Sequence, residues 1–375
     1  MYKTLVLAAV AALAISCARP DPYAAERHRI ASANAAQAKT ALALHDYARA
    51  RIAADAAAQA DPLDPAMQDL ALRVRLTQLA QSPQTAAVHD VQTLEYQAEM
   101  LQKRDPAHLT DYLLAQGELE LATGDDQAAE KLFAQAEKRP DAGAPALLAM
   151  GRLESKRGQH EKALQSFQAA LKKDPKSTDA LTAVGGEEIL ANKPDDAAKV
   201  LEQAVSHPDA TALAHRLYGL ALYSQKKVPQ AGQELVKAVQ MDPKDGLSQH
   251  ALGDYWLQTG QLARAEAAYQ NASKLGAEPE ATFGLAQVAA RAHQDAKAAQ
   301  LFAAVAKSSG GSLESAYLAG MEFDRAGQAQ AAAQWLNAYV GAAARDPSEA
   351  PRVQRARSVL AQLTQPKPAA PAPHP

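Results

Sequence analysis

Apolar and polar positions beyond residue 110 fall into pairs of helical stretches that return together along the chain. In the segment 246–279, Leu252, Tyr255 and Trp256 lie at helical spacing, Leu262, Ala265 and Tyr269 do so again, and Thr259-Gly260-Gln261 interrupts them. That pattern predicts two amphipathic helices joined by a tight turn. The arrangement recurs every 34 residues with a single step of 33, carrying an alanine at 129, 163, 197, 231, 265, 298 and 332. Four residues after each alanine stands a large side chain: Phe133, Phe167, Leu201, Leu235, Tyr269, Phe302 and Leu336. Twelve residues before each stands Gly117, Gly151, Gly185, Gly219, Gly253, Ala286 or Gly320. Self-similarity at this period marks a stack of helical hairpins, none of which buries its apolar face alone. Gly253 and Ala265 are expected where the two helices cross, so Ala265→Leu should overpack the crossing by roughly 1–3 kcal/mol. Asp174-Pro175 and Asp242-Pro243 end second helices, because the residue before proline is pushed out of the helical region.

These columns resemble the tetratricopeptide repeat. Over 144–177, Gly151, Gly158, Ala163, Phe167, Ala170 and Pro175 sit at the family's spacings, and Gly253, Gly260, Ala265, Tyr269 and Ala272 repeat them later. The resemblance implies an all-α fold, a right-handed superhelical solenoid of helix-turn-helix repeats. Seven tandem repeats are expected over 110–347. Looser repeat-like helices precede them over 26–109: one repeat at 31–64, with Tyr47, Ala50, Ala57 and Pro62, and a degenerate one at 65–109. A capping helix is expected over 348–364. The proline- and alanine-rich tail 365–375 has the composition of an extended segment outside any core.

The N-terminus bears on location. An apolar run from Leu5 to Ile15 follows Met-Tyr-Lys and reads as a signal peptide over 1–16, too short for a comfortable membrane span. Cys17, the only cysteine, follows Leu13-Ala14-Ile15-Ser16 and resembles the bacterial lipobox, which usually has leucine or valine where Ala14 stands. That resemblance implies a lipoprotein, acylated at Cys17 with a tether over 17–25. Ala18, in place of aspartate, implies the outer membrane facing the periplasm. An ordinary signal peptide cut nearby, or an uncleaved anchor, is the alternative. Without a second cysteine no internal disulfide can form.

Charge and composition narrow the chemistry further. The net charge of −3 lacks the basic excess of a nucleic-acid binder, and aromatics at 5% leave little material for a large enclosed pocket. Gly185-Gly186-Glu187-Glu188 resembles the signature loop of cyclic-dinucleotide cyclases, yet Ile189 replaces the phenylalanine and no strand signals flank it. Ser224-Gln225-Lys226-Lys227 has the serine-x-x-lysine spacing without its accompanying motifs and falls at a bend between helices. His160-Glu161 lacks a second histidine four residues on and reads as a turn; the ten histidines show no ligand spacing. The chain therefore reads as non-enzymatic, with no cofactor and no metal.

In the resembled family the first helix of each repeat lines an inner groove. Transferred residue by residue, that surface comprises Arg152 and Lys156; Arg216, Leu220 and Tyr223; His250 and Asp254; Phe283, Gln287 and Arg291; Tyr317, Met321 and Asp324. Aromatic, aliphatic and charged side chains together suit an extended or helical peptide, although Leu220, Phe283 and Met321 also fit packing between neighbouring first helices. Arg152, Lys156 and Arg216 would meet an acidic partner segment, and Arg216→Glu should leave folding alone. The family's carboxylate clamp is not reproduced. The resulting reading is a protein–protein interaction scaffold of the bacterial envelope, membrane-bound through its lipid, that holds a partner while a pilus- or secretion-type machine assembles. A secretin is one partner implied by the likeness in layout to repeat lipoproteins of pilus assembly. An adaptor for peptidoglycan hydrolases, or a glycan-binding protein of exopolysaccharide export, are the alternatives.

Overall fold

The computed structural model describes residues 23–43, 46–62, 64–81, 109–308 and 312–364. The signal segment 1–16, Cys17 and most of its tether, residues 82–108 of the degenerate repeat and the tail 365–375 lie outside the described residues. Among the described residues every regular element is helical.

Two compact units divide the chain, the first comprising 1–193 and 206–211. It contains α1 (Ala24–Ala43), α2 (Tyr47–Ala60), α3 (Pro65–Gln81), α4 (Leu109–Thr123), α5 (Asp126–Glu137), α6 (Gly143–Lys156), α7 (His160–Lys173) and α8 (Thr178–Leu190). Helix α1 starts inside the stretch assigned to the tether. Its Ala38 is fully buried in one core cluster with Ala50, Ala54 and Ala57 of α2. Helix α3 packs on α4, where Arg73 Nη1 lies 2.7 Å from Asp111 Oδ2.

The second unit comprises 194–205 and 212–375. Its helices are α9 (Pro194–Ser206), α10 (Ala212–Ser224), α11 (Val228–Met241), α12 (Gly246–Gln258), α13 (Leu262–Lys274), α14 (Glu280–Arg291), α15 (Asp295–Lys307), α16 (Leu313–Arg325), α17 (Ala329–Ala343) and α18 (Ala350–Leu363). Here α10 packs on α11, α12 on α13, α14 on α15 and α16 on α17, as α4 does on α5 and α6 on α7 in the first unit. First helices also touch the next first helix, α10 with α12 and α12 with α14. A short 3-10 turn, Pro347–Glu349, leads into α18, whose Val353, Ala356 and Val359 join Leu336 and Tyr339 in a closing apolar cluster.

Local chemistry marks where several helices start and where hairpins bend. Asp125, Ser177, Asp245 and Ser312 accept hydrogen bonds from backbone N–H groups at the starts of α5, α8, α12 and α16, which satisfies donors that a helix start leaves free. Several hairpin turns have one left-handed residue. Gly158, Gly260 and Gly327 take φ of 72°, 76° and 72° there, and Lys226 and His293 take 63° and 55° at the equivalent places.

The glycine and large-residue columns travel together because they touch. A Cβ added to Gly151 would sit 2.4 Å from Phe167 Cε1, and Gly117 meets Phe133, Gly253 meets Tyr269 and Gly320 meets Leu336 in the same way. In these four hairpins the ring or leucine of the second helix thus rests against bare backbone of the first. Gly253 faces Tyr269, and in the preceding hairpin a Cβ added to Gly219 would also lie 3.2 Å from the Ala231 carbonyl oxygen, at the place equivalent to Ala265. Tyr269 is also pressed from the next hairpin, since a Cβ on Gly284 would lie 2.4 Å from its Cε1. Complete burial of such a side chain contributes about 1.5–3 kcal/mol. None of the described helices is long and apolar enough to cross a membrane.

Candidate functional site

Successive first helices of the second unit form a groove of about 600 Å³, lined from α10, α12 and α14 with the first turn of α16. Of the residues singled out in the sequence, Tyr223, His250, Asp254 and Gln287 line it, together with Leu220 and Phe283. Helical spacing is what brings Tyr223, Asp254 and Gln287 to one side, each from a different hairpin. His250 and Asp254 are held in place from below. Tyr269 donates a hydrogen bond to Asp254 Oδ1 at 2.6 Å, and His250 Nδ1 lies 3.4 Å from Asp254 Oδ2. The His250 and Tyr269 rings meet edge-on with centroids 5.5 Å apart. Burial, then the charge and hydrogen bond of Asp254, push the Tyr269 phenol well above its ordinary pKa. Phe283 meets Phe302 edge-on at 5.4 Å, so it serves the core as well as the groove.

Sequence reasoning did not find Tyr255, Glu280 and Glu314, which also line the groove. Tyr255 fits over Gly232 of α11, where an added Cβ would fall 2.3 Å from its Cζ. Its position on the first helix is one that core packing also uses, which hides it. Glu280 and Glu314 sit in first turns, where an acidic residue is ordinary because it offsets the helix dipole.

The remaining candidates are engaged elsewhere. Lys156 Nζ donates to the Leu121 carbonyl and lies 2.8 Å from Asp126 Oδ1. Arg291, at the equivalent place in its repeat, donates to the Leu257 carbonyl. Both take up a carbonyl at the end of the preceding first helix, where cations are favoured. Arg152 lies 2.7 Å from Glu118 and 3.9 Å from Asp179. Desolvation acts to lower its pKa, and these two carboxylates hold it raised. It lines a separate cleft of about 380 Å³ within the first unit, shared with the Arg73–Asp111 pair. Arg216 is 16% exposed with Nε 3.4 Å from Asp245 Oδ2. Burial lowers its pKa, opposed by Asp245. Reversing its charge would therefore set a carboxylate against Asp245 inside the fold and lower stability, in place of the neutral effect expected from the sequence. Tyr317 packs on Tyr339 at 5.2 Å with Arg352 above its ring, and Met321 joins the same cluster. Asp324, near the end of α16, is not among the residues that line the groove.

Other sequence features also find their places. Gly185-Gly186-Glu187-Glu188 lies inside α8, where buried Glu187 accepts from Ser155 and sits 2.9 Å from His160 Nδ1. His160 opens α7 and does not lie in a turn. Lys226 occupies the bend between α10 and α11. One grouping was hidden by sequence distance: His28 Nδ1 lies 3.5 Å from Asp61 and 3.4 Å from Asp64. With the His28 side chain 60% exposed, these three are a surface ion-pair cluster whenever the imidazole is protonated.

The tetratricopeptide-repeat family model matches residues 148–186, 191–246 and 250–312. Among curated proteins none matches the chain in sequence. A chain from the APC/C hetero-tetramer Cut9–Hcn1 is similar in structure, with a TM-score of 0.51 at 13% identity over 87% of this chain and 76% of its own. That likeness is one of fold. PilF of Pseudomonas aeruginosa has a TM-score of 0.49 at 22% identity, over 57% of this chain and 96% of its own. MamA of Desulfovibrio magneticus RS-1 has a TM-score of 0.38 at 20% identity, over 46% and 97%. The family match covers the hairpins in which Gly151 meets Phe167 and Gly253 meets Tyr269, and over 148–312 the chain carries tetratricopeptide repeats, of a family that binds protein partners and is generally non-catalytic.

Proposed function

We propose that the second unit holds one extended or helical segment of a partner protein in the groove across α10, α12 and α14. The observation that carries this reading is the lining itself. Tyr223, Gln287 and Glu280 border an open groove of about 600 Å³, whereas Lys156, Arg291 and Arg216 are engaged within the fold. Aromatic faces beside polar groups are the surface that peptide recognition uses. In this reading the protein is a scaffold of the bacterial envelope, anchored through an acylated Cys17, and its partner belongs to a machine assembled there, with a secretin as the first candidate. Docking of a peptidoglycan hydrolase rests on the same features, and glycan binding is the reading from another class.

Photo-crosslinking in cells tests it. A crosslinker at position 223 or 287 should trap one discrete protein, and one at the exposed Lys237 of α11 should not. Equal trapping from all three positions, or adducts only within the chain, would remove the groove from the account. The anchor has its own test: Cys17→Ser should abolish fatty-acid labelling and release the chain from the membrane fraction, and labelling that persists would end the lipid reading.

A further inference from the structure

The two clefts treat their charges differently. In the first unit each cation that lines the cleft is matched: Arg73 with Asp111 at 2.7 Å, and Arg152 with Glu118 at 2.7 Å and Asp179 at 3.9 Å. The groove of the second unit is lined by three carboxylates, Asp254, Glu280 and Glu314, and by neither lysine nor arginine. Glu314 has Arg352 at 3.2 Å, which itself also faces Glu349 at 3.3 Å. Asp254 is half-exposed, with His250 and the Tyr269 hydroxyl beside it. Glu280 is exposed, with no ion pair among the described residues. Tyr223, Tyr255 and Phe283 share the lining with these carboxylates.

From this we infer that the groove selects a cationic segment, one that places lysine or arginine side chains beside an apolar or aromatic anchor. The inference rests on the groove being a peptide site. It reverses the polarity that Arg152, Lys156 and Arg216 give when only the sequence is read, because all three are committed inside the fold. Carboxylates at the rim attract a basic segment during approach and fix its direction. The faces of Tyr223, Tyr255 and Phe283 add attraction for a lysine ammonium or arginine guanidinium seated over them. An acidic segment would bring carboxylates against Asp254 and Glu280 with no cation in the lining to receive them. First-turn acids do offset a helix dipole, which accounts for Glu280 and Glu314 in part. Asp254 lies in the middle of α12 and has no such role.

The test is a selection of random twelve-residue peptides displayed on their encoding nucleic acid, using the full chain in detergent solution. Selected binders are then measured by fluorescence anisotropy against the wild type, Tyr223→Ala and the double variant Asp254→Asn with Glu280→Gln, each checked for an unchanged helical spectrum. The expected result is several-fold enrichment of lysine and arginine next to apolar residues. Affinity should fall about tenfold in the double variant and fall again on raising salt. Selected peptides that are neutral or acidic, yet lose affinity in Tyr223→Ala, would overturn the charge inference and leave the groove standing as a peptide site. Absence of enrichment, or binders indifferent to both variants, would overturn the groove reading and this inference with it.

Discussion

Gly341 and Gly151 both lie inside helices, yet alanine at the two positions should have opposite effects. Around Gly341 nothing stands within 4 Å of an added Cβ, so only backbone propensity acts and Gly341→Ala should stabilise by about 0.5–1 kcal/mol. At Gly151 the added carbon would lie 2.4 Å from the Phe167 ring. Overpacking of roughly 1–3 kcal/mol then outweighs the same propensity gain. Denaturant midpoints that rise for the first variant and fall for the second would bear this out; equal rises would mean the ring yields freely. Tyr269 gives a second prediction at this scale. Its folded pKa is raised by burial and by Asp254, so on unfolding the phenol ionises first, near pH 10. Its contribution is intact below that value and is lost as pH rises through the folded pKa. Tyr269→Phe should therefore lose less stability than the wild type between about pH 9.5 and 11, read from urea midpoints measured across that range.

Helices are tied to one another by cations at their ends and by apolar faces along their lengths. Lys156→Met and Arg291→Met each remove a donor to the carbonyl of a preceding first helix. Both side chains are partly solvated, so each change should cost only about 0.5–1 kcal/mol, and amide exchange should quicken first at the ends of α4 and α12. Helix α18 matters more. Ending the chain after Asp346 uncovers Leu336 and Tyr339, now 0% and 1% exposed, and should lower the unfolding temperature and expose a dye-binding apolar surface. The columns of these helices were readable in the sequence because close packing admits only small residues at fixed intervals. Which way a cation turns was not. Lys156 counts to a groove position on its helix, but its flexible stem reaches back to Leu121, and nothing in the spacing distinguishes the two directions. Glu280 was passed over for the converse reason, since a glutamate in a first turn has an ordinary local role. His28 finds Asp61 and Asp64 only once α1 and α2 are folded together.

Across the whole molecule, folding and recognition should answer differently to salt. The ties between hairpins that involve charge, such as Lys297 with Glu266 at 2.8 Å, are mostly solvent-facing and contribute about 0–1 kcal/mol each, while burial of the alanine and ring columns is insensitive to ionic strength. Raising salt from 0.05 to about 0.5 M, which shortens the screening length to a few ångströms, should leave the thermal midpoint nearly unchanged and weaken peptide capture strongly. A midpoint that falls in step with capture would show that charge holds the repeats together. The left-handed turn residues add a practical consequence. Lys226 and His293 keep side chains where Gly158, Gly260 and Gly327 have open space around them, and Cys17 is the sole native thiol. Once Cys17 is serine, cysteines at 226 and 293 become addressable anchor points for a dye pair within the second unit. The hairpin bends thus act as survey marks along the groove, and energy transfer between them would report, molecule by molecule, whether it tightens as a peptide enters.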